Sequence, residues 1–296
     1  MQVSKWALAG SLLWLAAALV VPDSASKRYE DALHGATCLR ASYVMSGPMT
    51  PEASCTLVYE KPDRFRIETP TRLTVCDGKT VWDYWKEAKV YTKARFSLDR
   101  TREEDVWGWA AFFGSGLLSP GKVSGTDSAG GFETIRYEMP FGRGGWIRGE
   151  AGKGRVLAFG VSSEPALWQT SSTSVTYGGA APDSSAFKFV APAGSREIPA
   201  TVSYREIGQL FDDYCFPCHD FATHESGLNL SSYEGLMKGG DHGPVIEPGK
   251  PANSLLYIDI SSIHLPFMPP HEGVGEAWRR YRLGLWISQG AKKDAR

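Results

Sequence analysis

The chain has 296 residues, 42% hydrophobic and 22% charged, with 32 Lys and Arg against 33 Asp and Glu. That length accommodates about two domains, each able to bury its own core, and the near-zero charge balance offers no basic face for nucleic acid. The same fractions exclude a disordered or fibrous chain.

The first element is a targeting segment. Lys5, the uncharged run Trp6 to Val21 and the small residues up to Ser26 read as an export signal cleaved near Ser26. An uncleaved membrane anchor is the competing reading, although this apolar run falls somewhat short of the roughly 20 residues that span a bilayer. The expectation is a periplasmic or otherwise exported protein, with no transmembrane span after cleavage.

A helix is predicted around Arg28 to Gly35, and residues 37 to 190 then read as short strands. Thr56-Leu57-Val58-Tyr59, Arg64 to Glu68, Leu73 to Cys76, Thr80 to Tyr84 and Lys89 to Thr92 are separated by Lys61-Pro62-Asp63, Thr69-Pro70 and Asp77-Gly78-Lys79. Arg64, Arg66 and Glu68 alternate with Phe65 and Ile67, the pattern of an antiparallel sheet with one wet face. Further strands are expected at Glu133 to Met139, Val156 to Val161 and Ser171 to Tyr177. Cys38, Cys55 and Cys76 lie in this part, and in an oxidising compartment two of them could pair, leaving one buried thiol. Pro and Gly residues between 191 and 203 mark a boundary, after which the pattern becomes helical.

Beyond it, Ile207, Leu210, Phe211 and Tyr214 recur at helical spacing and lead into Cys215-Phe216-Pro217-Cys218-His219. This is the C-x-x-C-H sequence of covalent haem attachment: two thiols one turn apart each add to a vinyl group, and the adjoining imidazole reaches the iron. A thioredoxin-like motif would follow a strand, a zinc site would want a second regularly spaced ligand pair, and a simple disulfide leaves His219 unexplained. Met268, in the proline-stiffened Pro266 to Pro270 segment, is the expected sixth ligand; Met237, His264 and His271 are its rivals, and an open sixth position the remaining alternative. Trp278, Tyr281, Leu285 and Trp286 fall on one face of a terminal helix that ends at Gly290. No acid-base pair, nucleophile triad or phosphate loop is visible; Asp212-Asp213 reads as solvated helix surface, and Gly239, Gly240, Gly243 and Gly249 as loop glycines around the haem.

Two resemblances follow from these residues. Leu210 to His219, Gly227-Leu228-Asn229-Leu230, Gly239-Gly240, Gly243-Pro244-Val245-Ile246, Pro248-Gly249-Lys250-Pro251, Ser254-Leu255-Leu256, Met268-Pro269-Pro270 and Trp286 to Ala291 resemble the planctomycete-type cytochrome c domain. The resemblance implies one covalent haem c on Cys215 and Cys218, with His219 proximal and Met268 distal. By analogy with other cytochromes, a backbone carbonyl near Pro244 is expected to fix the His219 tautomer. Lys61 to Arg66, the Cys76 to Trp82 turn and Phe187 to Gly194 resemble the outer-membrane lipoprotein carrier (LolA-like) superfamily. That implies an antiparallel open β half-barrel with a hydrophobic cavity, whose lid position is taken here by the apolar segment Val106 to Leu118. Trp107, Trp109, Phe112, Phe113, Leu117 and Leu118 are then either walls of that pocket or ordinary core.

The expectation is an α+β protein of two domains: a signal at 1–26, a half-barrel at 27–197, a linker at 198–203 and a small α-helical monohaem cytochrome at 204–296. The function expected is one-electron transfer with redox partner proteins, the half-barrel binding a hydrophobic or lipid ligand or docking the cytochrome, and an enzymatic role less favoured than electron transfer. A lipid or lipoprotein carrier or envelope scaffold with an accessory haem, and a haem enzyme or gas sensor with an open sixth site, are the alternatives.

Overall fold

The computed structural model describes residues 24–47, 50–96, 122–138, 144–163, 166–260, 268–270 and 277–294. The export signal up to residue 23 and the apolar segment carrying Trp107, Trp109, Phe112, Phe113, Leu117 and Leu118 lie outside them.

Helix α1 (Ser24–Gly35) precedes β1 (Cys38–Gly47), β2 (Thr50–Glu60), β3 (Arg64–Glu68), β4 (Arg72–Asp77), β5 (Thr80–Trp85) and β6 (Val90–Arg95). Then come β7 (Lys122–Ala129), β8 (Phe132–Glu138), β9 (Gly144–Glu150), β10 (Val156–Ser163), β11 (Ala166–Tyr177) and β12 (Arg196–Glu197). Together they form one open twelve-stranded sheet in the order β12-β6-β5-β4-β3-β2-β1-β11-β10-β9-β8-β7. Every pairing is antiparallel except β12 with β6. The fold class is as expected: α+β, an open antiparallel sheet followed by helices.

The alternation in β3 produces one wet and one dry face, with Phe65 and Ile67 buried between partly exposed Arg64, Arg66 and Glu68. At the β4–β5 turn, Asp77 Oδ1 accepts from the backbone of Lys79 and Thr80, both at 2.8 Å, and Gly78 takes the left-handed conformation at φ 93°. Strands β7 and β9 were not expected. β7 is a polar, mostly exposed edge, and β9 carries three glycines in seven residues, both poor strand signals. One glycine of β9 has a packing reason: a Cβ on Gly149 would fall 2.2 Å from the Arg155 carbonyl and 2.4 Å from the Tyr29 ring, where α1 lies on the sheet. Arg28 of α1 also holds the buried Glu133 through both carboxylate oxygens, at 2.6 and 2.8 Å.

The expected disulfide among the first three cysteines is not formed; Cys38, Cys55 and Cys76 are all free and buried. The register explains why. Cys76 stands across from Phe65, and Cys55 lies two strands away and four residues out of level, roughly 16 Å against the ~7 Å limit for a bridge. Cys38 belongs to the opposite face, since its neighbour Leu39 pairs with Tyr59 of the Phe65 row, and its thiol points to the carbonyls of Gly179 and Ala180. Burial pushes the Cys55 thiol up to about 11 and the Cys76 thiol up to about 12, so neither supplies the thiolate that exchange requires. All three act as small apolar residues.

The α-helices that follow the sheet are α2 (Tyr204–Tyr214), α3 (Phe216–His219), α4 (Tyr233–Lys238), α5 (Leu255–Ile260) and α6 (Ala277–Ser288). Ser203 caps α2 by accepting from Glu206 N at 3.1 Å. The predicted stripe of α2 is buried at Ile207, Leu210 and Phe211, each worth roughly 1.5–3 kcal/mol of apolar transfer. Helix α6 departs from its expected single apolar face: residues 281 to 287 are all buried. It lies between two partners. Tyr281 and Leu285 join Trp85 and Val90 of the sheet and Ile198 just beyond β12, while Leu283, Trp286 and Ile287 join the helical cluster around Phe211, Leu236 and Leu256.

The sheet side of this contact is polar at its centre. Arg72, Thr74, Asp83 and Trp85 share one face by register. Asp83 Oδ1 takes hydrogen bonds from Arg72 at 2.6 Å and Thr74 at 2.7 Å, and its Oδ2 takes one from the Tyr281 hydroxyl at 3.2 Å. The Arg72 guanidinium lies 4.7 Å from the Trp85 ring and 4.4 Å from that of Tyr281. The segment expected as a linker is pinned as well. Arg282, 2% exposed, donates to the carbonyls of Pro199 and Thr201 and grips Glu206 at 2.6 and 2.7 Å. Gln289 accepts from Val202 N and donates to the Ala200 carbonyl.

Candidate functional site

The last turn of α2 runs directly into α3. Cys215 N donates to the Phe211 carbonyl at 2.8 Å, and the Cys215 carbonyl then accepts from Cys218 N at 3.2 Å and His219 N at 2.9 Å. This single turn displays Cys215, Cys218 and His219 together; Pro217 fits because its missing N–H falls in the first turn, where no partner is needed. The His219 carbonyl accepts from Leu230 N at 2.8 Å, tying the motif to the loop that follows.

These three side chains open into a cavity of about 390 Å³, within the range that holds cofactors. Met268 lines the same cavity, distant in sequence but adjacent in space, and its N–H donates to the Asp259 carbonyl at 3.3 Å. Leu228, Leu230, Val245, Leu256 and Ile260 make the walls apolar. One side is a tight glycine loop. A Cβ on Gly239 would fall 2.1 Å from the Gly243 carbonyl, and one on Gly240 would fall 2.4 Å from that of Ser226, so only glycine closes this wall. The loop-glycine reading thus holds for Gly240 and Gly243, which line the cavity.

The residues fit a covalently bound haem on two observations. Two thiols, an imidazole and a thioether converge on one apolar cavity, the donor set of a c-type site. His219 Nδ1 is buried and has no hydrogen-bond partner among the described residues. That last fact corrects the expectation of a carbonyl near Pro244 as its acceptor. Met237 packs in the helical cluster and is not a wall of the cavity. His264 and His271 lie outside the described residues. Glu225, Asp241 and Asp259, which the sequence did not single out, and His242, whose irregular spacing spoke against a zinc site, also line the cavity. No spacing signal marks them as a group, because two loops and helix α5 bring them together.

The chain therefore joins an open antiparallel sheet to a helical segment that gathers two thiols, an imidazole and a thioether on one apolar cavity. Residues 215–272 match the family described as Planctomycete cytochrome C, which covers well under half of the chain. No curated protein matches. Among solved structures, the sheet is similar to an uncharacterized conserved protein from Thermus thermophilus at 13% identity, covering 59% of this chain and 96% of that one, with a TM-score of 0.41. It is also similar to a LolA superfamily protein from Nitrosomonas europaea, at 7% identity, 57% and 97% coverage and a TM-score of 0.31. A Pseudomonas aeruginosa MucA/MucB complex matches at 13% identity, 57% and 62% coverage and a TM-score of 0.31. No helix among the described residues is long and apolar enough to cross a membrane.

Proposed function

We propose that this is an exported monohaem c-type cytochrome that carries one electron at a time between redox partner proteins, with its sheet serving as the platform on which the cytochrome is docked. The observation that carries the reading is the convergence of Cys215, Cys218, His219 and Met268 on one apolar cavity. A haem held there supplies a one-electron iron couple. Cys215 and Cys218, on the single turn of α3, would hold it through two thioethers. His219 and Met268 would supply the ligands to its iron, and a thioether in place of a second imidazole would favour the reduced state. The apolar walls exclude water and lower the local dielectric, which stabilises the less charged iron state.

Docking is favoured over ligand carriage for the half-barrel because α6 packs onto β5 and β6, its Tyr281 and Leu285 joining Trp85 and Val90. Residues 27–197 and 204–296 then work as one body, joined by the pinned segment 198–203. Export is supported by the charge and apolar pattern of the first 26 residues. The test is an absorption spectrum, oxidised and reduced, of protein matured with covalent-haem machinery, beside Met268→Ala. The reading expects a reduced c-type spectrum and a far-red band in the ferric wild type that Met268→Ala loses. Five-coordinate or bis-His haem in the wild type overturns the distal assignment, and absence of covalent haem overturns the cytochrome.

A further inference from the structure

We infer that Ile258 is a positioning residue for Met268, so that the β-sheet, and not only the helical segment, holds the distal side of the haem cavity. The inference rests on the haem reading for its consequence, but its geometry stands apart from it. Helix α5 is only six residues long, yet it faces two cores at once. Ile258, 1% exposed, is the one fully buried residue after position 156, among those described, that belongs to the apolar cluster of the sheet, with Leu57, Phe65, Ile67 and Cys76. Leu256, Tyr257 and Ile260 belong instead to the cluster of the helical segment. Successive residues of a helix turn by about 100° and rise about 1.5 Å, so a side chain seated in the sheet fixes the backbone of the residue next to it.

That next residue is Asp259. It lines the cavity, and its carbonyl accepts the Met268 N–H at 3.3 Å. Other ties of α5 run to the helical segment, Ile260 at this end among them, whereas Ile258 runs to the sheet. At the N-terminal end, Ser254 is fully buried; its hydroxyl accepts from Glu247 N at 2.9 Å and donates to the Lys250 carbonyl at 3.0 Å, while Leu256 N donates to the Val245 carbonyl at 3.1 Å. On the α6 side, Tyr257 lies so close to Gly284 that a Cβ there would come within 2.8 Å of its ring. Ile258 supplies the remaining anchor, into the sheet. Truncating it leaves a void that the rigid sheet fills poorly, and frees the turn that carries the Asp259 carbonyl.

The experiment compares wild type, Ile258→Ala, Ile258→Val and Leu236→Ala as full-length haem-loaded proteins. Leu236 is equally buried, in the helical cluster, and is not a wall of the cavity. Two quantities are read: hydrogen-exchange protection of the Met268 amide, and the affinity of added imidazole for the ferric haem, which displaces Met268. Ile258→Ala is expected to lose protection at Met268 while α2 keeps it, and to bind imidazole about tenfold more tightly, the scale of a partly relaxed core cavity. Ile258→Val is expected to restore both, and Leu236→Ala to change neither while lowering stability. Unchanged protection in Ile258→Ala overturns the inference, as does an equal effect from Leu236→Ala. Where the wild type lacks the Met-dependent far-red band, ligation adds nothing to the protection of the Met268 amide, so loss of that protection in Ile258→Ala then supports the positioning role and sinks only the distal assignment.

Discussion

Removing the Asp83 carboxylate is the sharpest perturbation of the joint between sheet and helices. Asp83 is 5% exposed and serves three donors, Arg72, Thr74 and Tyr281. In Asp83→Ala the Arg72 guanidinium remains between the Trp85 and Tyr281 rings with its countercharge gone, and two hydroxyls lose their acceptor. Breaking a largely buried pair from one side costs about 3–5 kcal/mol, because the remaining charge loses this carboxylate while still mostly out of water. For a chain of this size, that lowers Tm by about 6–20 °C at 2–4 °C per kcal/mol. Tyr281→Phe keeps the ring over Arg72 and deletes only one hydrogen bond, so its expected loss is about 0.5–1.5 kcal/mol. Scanning calorimetry and a haem-absorbance melt check both. The wild type is expected to unfold with the two probes coincident, and Asp83→Ala to show the helical segment melting before the sheet. A loss in Asp83→Ala below about 1 kcal/mol, the scale of an exposed ion pair, would falsify the claim that this carboxylate joins the two parts.

Three further outcomes are expected. Arg282→Met strips the Pro199 and Thr201 carbonyls and Glu206 of their donor, at about 3 kcal/mol, and should open residues 198–203 to limited proteolysis; unchanged cleavage kinetics there contradict the pinned linker. Gly149→Ala drives a methyl against the Arg155 carbonyl and the Tyr29 ring, at about 3 kcal/mol, and a near-wild-type urea midpoint means α1 does not lie where described. Burial raises the Glu68 carboxyl, but hydrogen bonds from Lys86 and Arg66 outweigh it and hold the group below its ordinary value. Its stabilising effect is therefore complete above the unfolded carboxylate range and is lost as pH falls through the depressed value. Glu68→Gln should flatten the acid limb of a Tm-against-pH curve and leave the neutral limb merely offset.

What could be read from the sequence was local. The Cys215, Cys218 and His219 spacing is a property of one helical turn, and the alternation of Arg64 to Glu68 is a property of one strand. Both survive unchanged because neighbours in the chain decide them. The apolar stripe of α2 is of the same kind. Where two surfaces compete for one element, the pattern misleads: α6 shows a stripe at Trp278, Tyr281 and Leu285, yet Leu283 and Ile287 are just as buried, because α6 has a sheet on one side and helices on the other. The three cysteines of the sheet make the same point, since their composition suggested a bridge and only the register, unreadable without strand pairing, separates them across faces and rows.

The sequence by itself determined the chemistry of the site and the alternation from strands to helices. The tertiary structure alone decided that the two parts share a buried joint, that Met268 and not Met237 reaches the cavity, and that Ile258 and Asp83 matter at all. Their partners lie far away in the chain, as with Tyr281 and Asp83 at a separation of 198 residues. Such contacts arise when distant apolar faces are removed from water together, and nothing in the local spacing of either residue records which distant face it will meet.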